Sequence, residues 1–132
     1  MEKVLKQKKN FMNYNYDLPA GRQVEDGFTK LCRFDELKER EGRRFIVDET
    51  EVAIFKINNV IYALSNICPH QHTSLIYDGF IEDDCVVCPV HGWKFDLKTG
   101  KQPKGQKGLD SFPVIVFEGE VYVKVFKKEL NW

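Results

Sequence analysis

The sequence lacks an excess of charge of either sign. Its 132 residues include 20 basic and 20 acidic side chains, so the formal net charge is zero. Such a balance gives no overall attraction to nucleic acid or to an anionic membrane surface. An apolar run as long as a membrane span is also missing. We therefore expect no nucleic-acid partner and no membrane partner.

Sequence signatures of catalysis and of export are missing as well. We find no serine–histidine–acid set, no phosphate-binding loop and no site made of two histidines and one carboxylate. The basic start, MEKVLKQKKN, is not followed by the apolar stretch of a secretory signal. We therefore expect a cytoplasmic protein.

Helical patterns are rare, and short alternating segments take their place. Strands are predicted in FTKLCRF, RRFIV, EVAIFKI, VIYALSN, FPVIVF and EVYVKVF, with strand-like pieces around LIYDG and FIEDDCVV. One helical turn is predicted in FDELKEREG, and hairpin turns at Asn58–Asn59 and Glu118–Gly119. The pattern predicts an all-β sandwich or barrel in one domain, residues 28–132. Residues 1–27 lack periodicity, and we expect a flexible N-terminal extension there.

Cysteine and histidine are few, but four of them are paired. Cys68 and His70 stand in CPHQHTSL, and Cys88 and His91 stand in CPVHG. In a reducing compartment, cysteines at patterned spacing bind metal more often than they form disulfides. Thiolates with imidazoles suit either zinc or an iron–sulfur centre. Because each loop supplies one cysteine and one histidine, a binuclear cluster fits better, with the cysteines on one iron and the histidines on the other.

The remaining cysteines and the third histidine are not expected to be ligands. Cys85 forms a C-x-x-C spacing with Cys88, which alone indicates zinc or thioredoxin chemistry. It lies in a strand-like run, however, and we interpret it as a buried or edge thiol. Cys32 has no partner motif and is assigned to the core. His72 is interpreted as a polar loop residue beside the metal.

The two paired motifs and the closing FPVIVFEGEVYVKV strongly resemble the Rieske 2Fe-2S proteins, across roughly residues 28–126. The resemblance is closest to small soluble Rieske ferredoxins and to nitrite reductase small subunits. It implies a Rieske-like antiparallel β-sandwich, with a cluster-binding tip formed by two ligand loops. It further implies that Cys68 and Cys88 hold the inner iron of a Rieske-type 2Fe-2S cluster, and that His70 and His91 hold the outer iron.

Departures from the family pattern indicate a low reduction potential. Thr73 and Val90 stand where high-potential Rieske proteins have two further cysteines that form a disulfide. Trp93 and Phe95 stand where the family has a serine and a tyrosine that donate hydrogen bonds to the cluster. Fewer donors stabilise the reduced cluster less, which indicates about −150 mV rather than +300 mV.

The resemblance implies a soluble one-electron carrier between a flavin reductase and an oxygenase-type terminal component. The chain is too short to hold the catalytic mononuclear-iron domain of a Rieske oxygenase as well, so we expect that it is not an enzyme by itself. One alternative is the small subunit of a nitrite-reductase-like complex, whose partner would be the large subunit. An alternative from another class is a zinc-stabilised binding module. A lysine-rich loop could steer docking onto an acidic partner, and its basic residues are Lys98, Lys101, Lys104 and Lys107.

Overall fold

The computed structural model describes residues 13–17, 27–69, 73–90, 92–103 and 108–126. These ranges contain eleven strands and two short 3-10 helices, Phe34–Glu36 and Ile76–Asp78. The strands are β1 Asn13–Asp17, β2 Phe28–Arg33, β3 Gly42–Val47, β4 Thr50–Ile57, β5 Val60–Ser65, β6 Phe80–Glu82, β7 Cys85–Val87, β8 Lys94–Asp96, β9 Ser111–Phe112, β10 Val114–Phe117 and β11 Glu120–Lys124. No helix in these ranges could cross a membrane.

The strands form three sheets. One four-stranded sheet has the order β1-β10-β11-β2, and the second has the order β3-β4-β5-β9. A small third sheet has the order β6-β7-β8. Neighbouring strands pair antiparallel, except that β1 runs parallel to β10. The all-β fold predicted from the sequence is confirmed.

Four hairpins turn through two residues that both have positive φ. They are Asp48–Glu49, Asn58–Asn59, Asp83–Asp84 and Glu118–Gly119. Two consecutive residues with positive φ match the twist of the flanking strands, and Asn, Asp and Gly tolerate this conformation best. The predicted turns at Asn58–Asn59 and Glu118–Gly119 are therefore confirmed.

The β3-β4-β5-β9 sheet is buried on both faces along β4, because the side chains of this strand alternate between two apolar cores. Val52 and Ile54 of β4 pack in a core shared with β10 and β11. Ala53 and Phe55, which point the other way, pack in a second core beneath the third sheet. The molecule thus has three layers, and the third sheet rests on a rigid base.

Three local predictions differ from the structure. The strand-like piece around LIYDG is the 3-10 helix Ile76–Asp78, and the predicted helical turn in FDELKEREG is shortened to Phe34–Glu36. Asn13–Asp17, inside the segment expected to be a flexible extension, forms β1 on the edge of β10. NYNYD alternates asparagine with tyrosine, but its asparagines and the segment that follows are typical of turns, and the strand was therefore not predicted.

Candidate metal centre

Two loops carry the candidate ligands, and each follows a strand. We call residues 66–75, after β5, the first ligand loop, and residues 88–93, between β7 and β8, the second ligand loop. Cys68 and Cys88 are each only 1% exposed. Both belong to the same apolar core, together with Phe95. The chain therefore brings the two predicted cysteine ligands into one buried cluster.

The two loops are closed by the same kind of hydrogen bond. The Cys68 amide donates to the carbonyl oxygen of Thr73 over 2.9 Å, and the Cys88 amide donates to that of Trp93 over 2.8 Å. In each loop the acceptor is the fifth residue after the cysteine. Each cysteine thus begins a closed turn of equal span, and this repeated geometry fixes the backbone that carries the thiol.

Gly92 gives the second ligand loop its tight backbone. Its φ is +76°, and its amide donates to the carbonyl oxygen of Cys88 over 2.9 Å. A Cβ at this position would meet no atom within 4 Å. The glycine is therefore needed for its left-handed conformation and not for lack of space.

The floor beneath the loops is apolar. Phe95 and Leu97 follow the second ligand loop and are buried in the same core as both cysteines. The rings of Trp93 and Phe95 are tilted, with centroids 6.4 Å apart. Phe95 has no donor, so the floor excludes water without offering a hydroxyl group. An apolar environment of this kind strengthens the remaining electrostatic interactions of a metal centre.

Asn66 anchors the first ligand loop and was not anticipated from the sequence. It is fully buried, and its side-chain amide donates to Glu51 Oε1 and to the carbonyl oxygen of Ser74, both over 3.0 Å. Its Oδ1 accepts from the amide of Tyr77 over 2.8 Å. The Ser74 hydroxyl donates to Glu51 Oε2 over 3.4 Å. One asparagine therefore ties both ends of the loop to β4.

Glu51 is the charged part of this anchor. Arg44 on β3 donates to its carboxylate over 2.9 Å. This hydrogen bond, and next the one from Asn66, lower the pKa of Glu51 below its ordinary value. The carboxylate therefore stays ionised and accepting at neutral pH.

The structure separates Cys85 and Cys32 from the loops. Cys85 lies in β7, pairs with Glu82 and Asp96, and is buried outside the core that holds Cys88. Burial raises the pKa of the Cys85 thiol, and burial raises that of Cys32, on β2, to about 11. Thiols that stay protonated are poor ligands. None of the four cysteines, all in the described ranges, forms a disulfide.

His70 and His91, the predicted ligands of the outer iron, lie outside the described residues, as does His72. Their assignment stays a prediction. The described residues nevertheless fit the cofactor. Two buried thiols lie on two loops that are closed by the same kind of backbone hydrogen bond, and both thiols belong to one apolar core. Soft thiolates held in this way suit iron–sulfur chemistry.

Fold and site define a class of protein, a three-layered β domain with one cysteine-bearing loop after β5 and a second between β7 and β8 of the small third sheet. The profile of the Rieske-like 2Fe-2S domain matches residues 27–124. The chain is 32% identical over 110 residues to the ferredoxin component of the alkene monooxygenase system of Xanthobacter autotrophicus, a match that covers 83% of this chain and 90% of that protein.

Solved structures of related proteins have the same fold. The chain is similar to one in the complex of reduced oxygenase and oxidized ferredoxin in carbazole 1,9a-dioxygenase, with a TM-score of 0.69, 30% identity and coverage of 80% of this chain and 99% of that one. The nitrite reductase small subunit of Erwinia carotovora shares the fold, with a TM-score of 0.67, 23% identity and coverage of 82% and 88%.

The chain belongs to the Rieske-like 2Fe-2S domain family. Its cofactor is a Rieske 2Fe-2S cluster, and its role is electron transfer. The predictions of the cofactor and of a carrier that is not itself an enzyme are confirmed, because the relatives are ferredoxin components of oxygenase systems.

Proposed function

We propose that this protein carries single electrons from a flavin reductase to the terminal component of an oxygenase system. The observation that carries the proposal is the match to almost the full length, 90%, of a ferredoxin component of a monooxygenase system. A second match is to a chain from a complex of an oxygenase with its ferredoxin. When bound, a Rieske cluster accepts and releases one electron.

The proposed ligands are Cys68 and Cys88 for the inner iron, and His70 and His91 for the outer iron. The burial and matched loop closure of the two cysteines support the first pair. The spacing of the sequence motifs supports the second. In this arrangement the loop backbone holds the thiolates in place, and the apolar floor keeps water from them.

Substitution of cysteine by serine tests the ligands. Cys68→Ser and Cys88→Ser should each abolish iron and sulfide binding, because a hard oxygen replaces a soft thiolate. Cys85→Ser is the matched control, since Cys85 is also buried but lies outside the loops, and it should keep two irons and two sulfides. Nitrogen couplings in the paramagnetic resonance of the reduced protein should report imidazole ligation. A colourless protein with zinc and no sulfide would favour the binding-module alternative.

Electron delivery tests the proposed partners. The reduced protein should re-oxidise rapidly when it is mixed with an oxygenase terminal component, and an NAD(P)H-dependent flavin reductase should reduce it. The nitrite reductase small subunits that match are 22–25% identical to this chain, below the 32% and 30% of the oxygenase-system ferredoxins described above. Stable association with a nitrite reductase large subunit, without electron transfer to any oxygenase, would favour the nitrite-reductase alternative.

Two further proposals concern the chain as a whole. We place the cluster domain in residues 28–132, which contain all ten strands from β2 to β11. Residues 1–27 are an extension, of which Asn13–Asp17 pairs with β10. We also propose a cytoplasmic location, which fits four cysteines without a disulfide. Fractionation of cells and truncation before residue 28 test these two proposals.

A further inference from the structure

The hydroxyl group of Thr73 differs from the other side-chain polar groups described in the first ligand loop. Within the described part of the chain, its Oγ1 is buried from solvent and has no hydrogen-bond partner. Buried hydroxyl groups are normally hydrogen-bonded, because the bonds lost with water must be replaced. The buried side chain of Asn66, in the same loop, is satisfied at both its amide nitrogen and its oxygen.

Thr73 is fixed beside a ligand. Its carbonyl oxygen accepts the amide of Cys68 over 2.9 Å, so the two backbones lie side by side across the loop. The next residue, Ser74, donates its hydroxyl to Glu51 on β4. Of two adjacent hydroxyl groups, one is thus bonded to the supporting sheet and the other is buried without a partner. This difference indicates that the missing acceptor belongs to the centre held by the loop.

We propose that the Thr73 hydroxyl donates a hydrogen bond to a sulfur of the bound 2Fe-2S centre and thereby raises its reduction potential. The inference rests on the cofactor and on Cys68 as its ligand. Reduction adds negative charge, so a donor to sulfur stabilises the reduced state more than the oxidised state. Phe95, buried in the floor of the site, cannot supply such a donor. Thr73 is therefore a positioning and tuning residue and not a ligand.

Three substitutions test the proposal in the cluster-loaded protein. Thr73→Val keeps the shape of the side chain and removes the hydroxyl, whereas Thr73→Ser keeps the hydroxyl. Ser74→Ala is the matched control, because it removes the neighbouring hydroxyl that already has a protein partner. After iron and sulfide have been counted, the midpoint potential is measured by redox titration. We expect Thr73→Val to titrate at a lower potential than wild type, and the other two proteins to stay near wild type.

A vibrational measurement gives a second readout. Transfer from H₂O to D₂O should shift the Fe–S stretching bands of wild type and of Thr73→Ser more than those of Thr73→Val. Equal potentials and equal isotope shifts in wild type and Thr73→Val would overturn the proposal. So would an equal fall of potential in Ser74→Ala, which would indicate a general loss of loop order. Thr73→Ala serves in place of Thr73→Val if valine does not fit. A wild-type protein without iron and sulfide would overturn the cofactor assignment instead.

Discussion

Asn66 donates its side-chain amide to the carbonyl oxygen of Ser74 over 3.0 Å, across the first ligand loop. The bond joins the start of the loop, just after β5, to its end, just before the 3-10 helix. Since Asn66 is fully buried, this bond is shielded from solvent. The shape of a loop that carries Cys68 therefore depends on one amide.

Asn66→Ala should weaken both the fold and the retention of the cluster. The substitution removes the side-chain partner of the Ser74 carbonyl oxygen and of the Tyr77 amide, and each such loss costs about 1–3 kcal/mol. It also removes one of the hydrogen bonds to Glu51, which keeps those from Arg44 and Ser74. We expect a lower midpoint in urea and faster bleaching of the visible absorbance. Tyr122→Phe is the control, because it removes a side-chain hydrogen bond to Glu120, on a different sheet. An Asn66→Ala protein that bleached no faster than Tyr122→Phe would show that the amide does not hold the loop.

Glu51 should make the cluster sensitive to acid. Its pKa is lowered in the folded protein, first by the hydrogen bond from Arg44 and then by that from Asn66. Because this pKa is lowered, the ionised carboxylate contributes its full stabilisation of the fold above the ordinary carboxyl pKa, about 4.3. That stabilisation is lost as the pH falls through the lower pKa of the folded protein. Glu51→Gln does not titrate. The rate of bleaching should therefore differ between wild type and Glu51→Gln at pH 7, and the difference should shrink below about pH 4. A constant difference would contradict the role of the charge.

The turns and motifs that depend on neighbouring residues alone could be predicted from the sequence. Asn58 and Asn59 reverse the chain by themselves, and their positive φ values follow from their side chains. The paired loops could likewise be recognised from cysteine and histidine spacing. The 3-10 helix at Ile76–Asp78 was missed because it depends on Asn66, whose Oδ1 accepts the Tyr77 amide. Asn66 is in turn held by Glu51, which lies 15 residues earlier in the chain, and no local sequence pattern predicts this hydrogen bond.

Gly100 should be indispensable at the base of the lysine-rich loop. Its φ is +78°, and a Cβ there would lie 2.0 Å from the carbonyl oxygen of Leu109. Gly119 has nearly the same φ, +77°, but its Cβ would meet only the Arg33 side chain at 3.7 Å. Gly119→Ala should therefore cost only the left-handed strain, roughly 1–2 kcal/mol. Gly100→Ala should cost clearly more, because backbone must move. Equal free energies of unfolding, from urea titrations of both variants, would contradict this interpretation.

Lys101 should speed electron transfer to an acidic partner. Lys101 and Lys98 are exposed just after β8, while Lys104 and Lys107 of the same lysine-rich loop lie outside the described residues. Exposed acidic residues stand on the other side of the second ligand loop in the chain, at Asp78, Glu82, Asp83 and Asp84. Lys94 pairs with two of them, Glu82 at 3.6 Å and Asp83 at 3.9 Å, which reduces their charge locally. Lys101, exposed after β8, can therefore steer the loops toward an acidic surface.

Lys101→Glu should slow electron transfer to the oxygenase component in stopped-flow mixing at low salt. Lys38→Glu changes the net charge equally, but its site, also exposed, lies between β2 and β3 and belongs to neither ligand loop nor the lysine-rich loop. It should have a much smaller effect. The difference between the two variants should fade as salt rises, because charges are screened beyond about 10 Å at 0.1 M. Midpoint potential and iron content should stay near wild type in both, since neither residue is part of a ligand loop. Equal rates for Lys101→Glu and Lys38→Glu at the lowest salt would show that this loop does not guide docking.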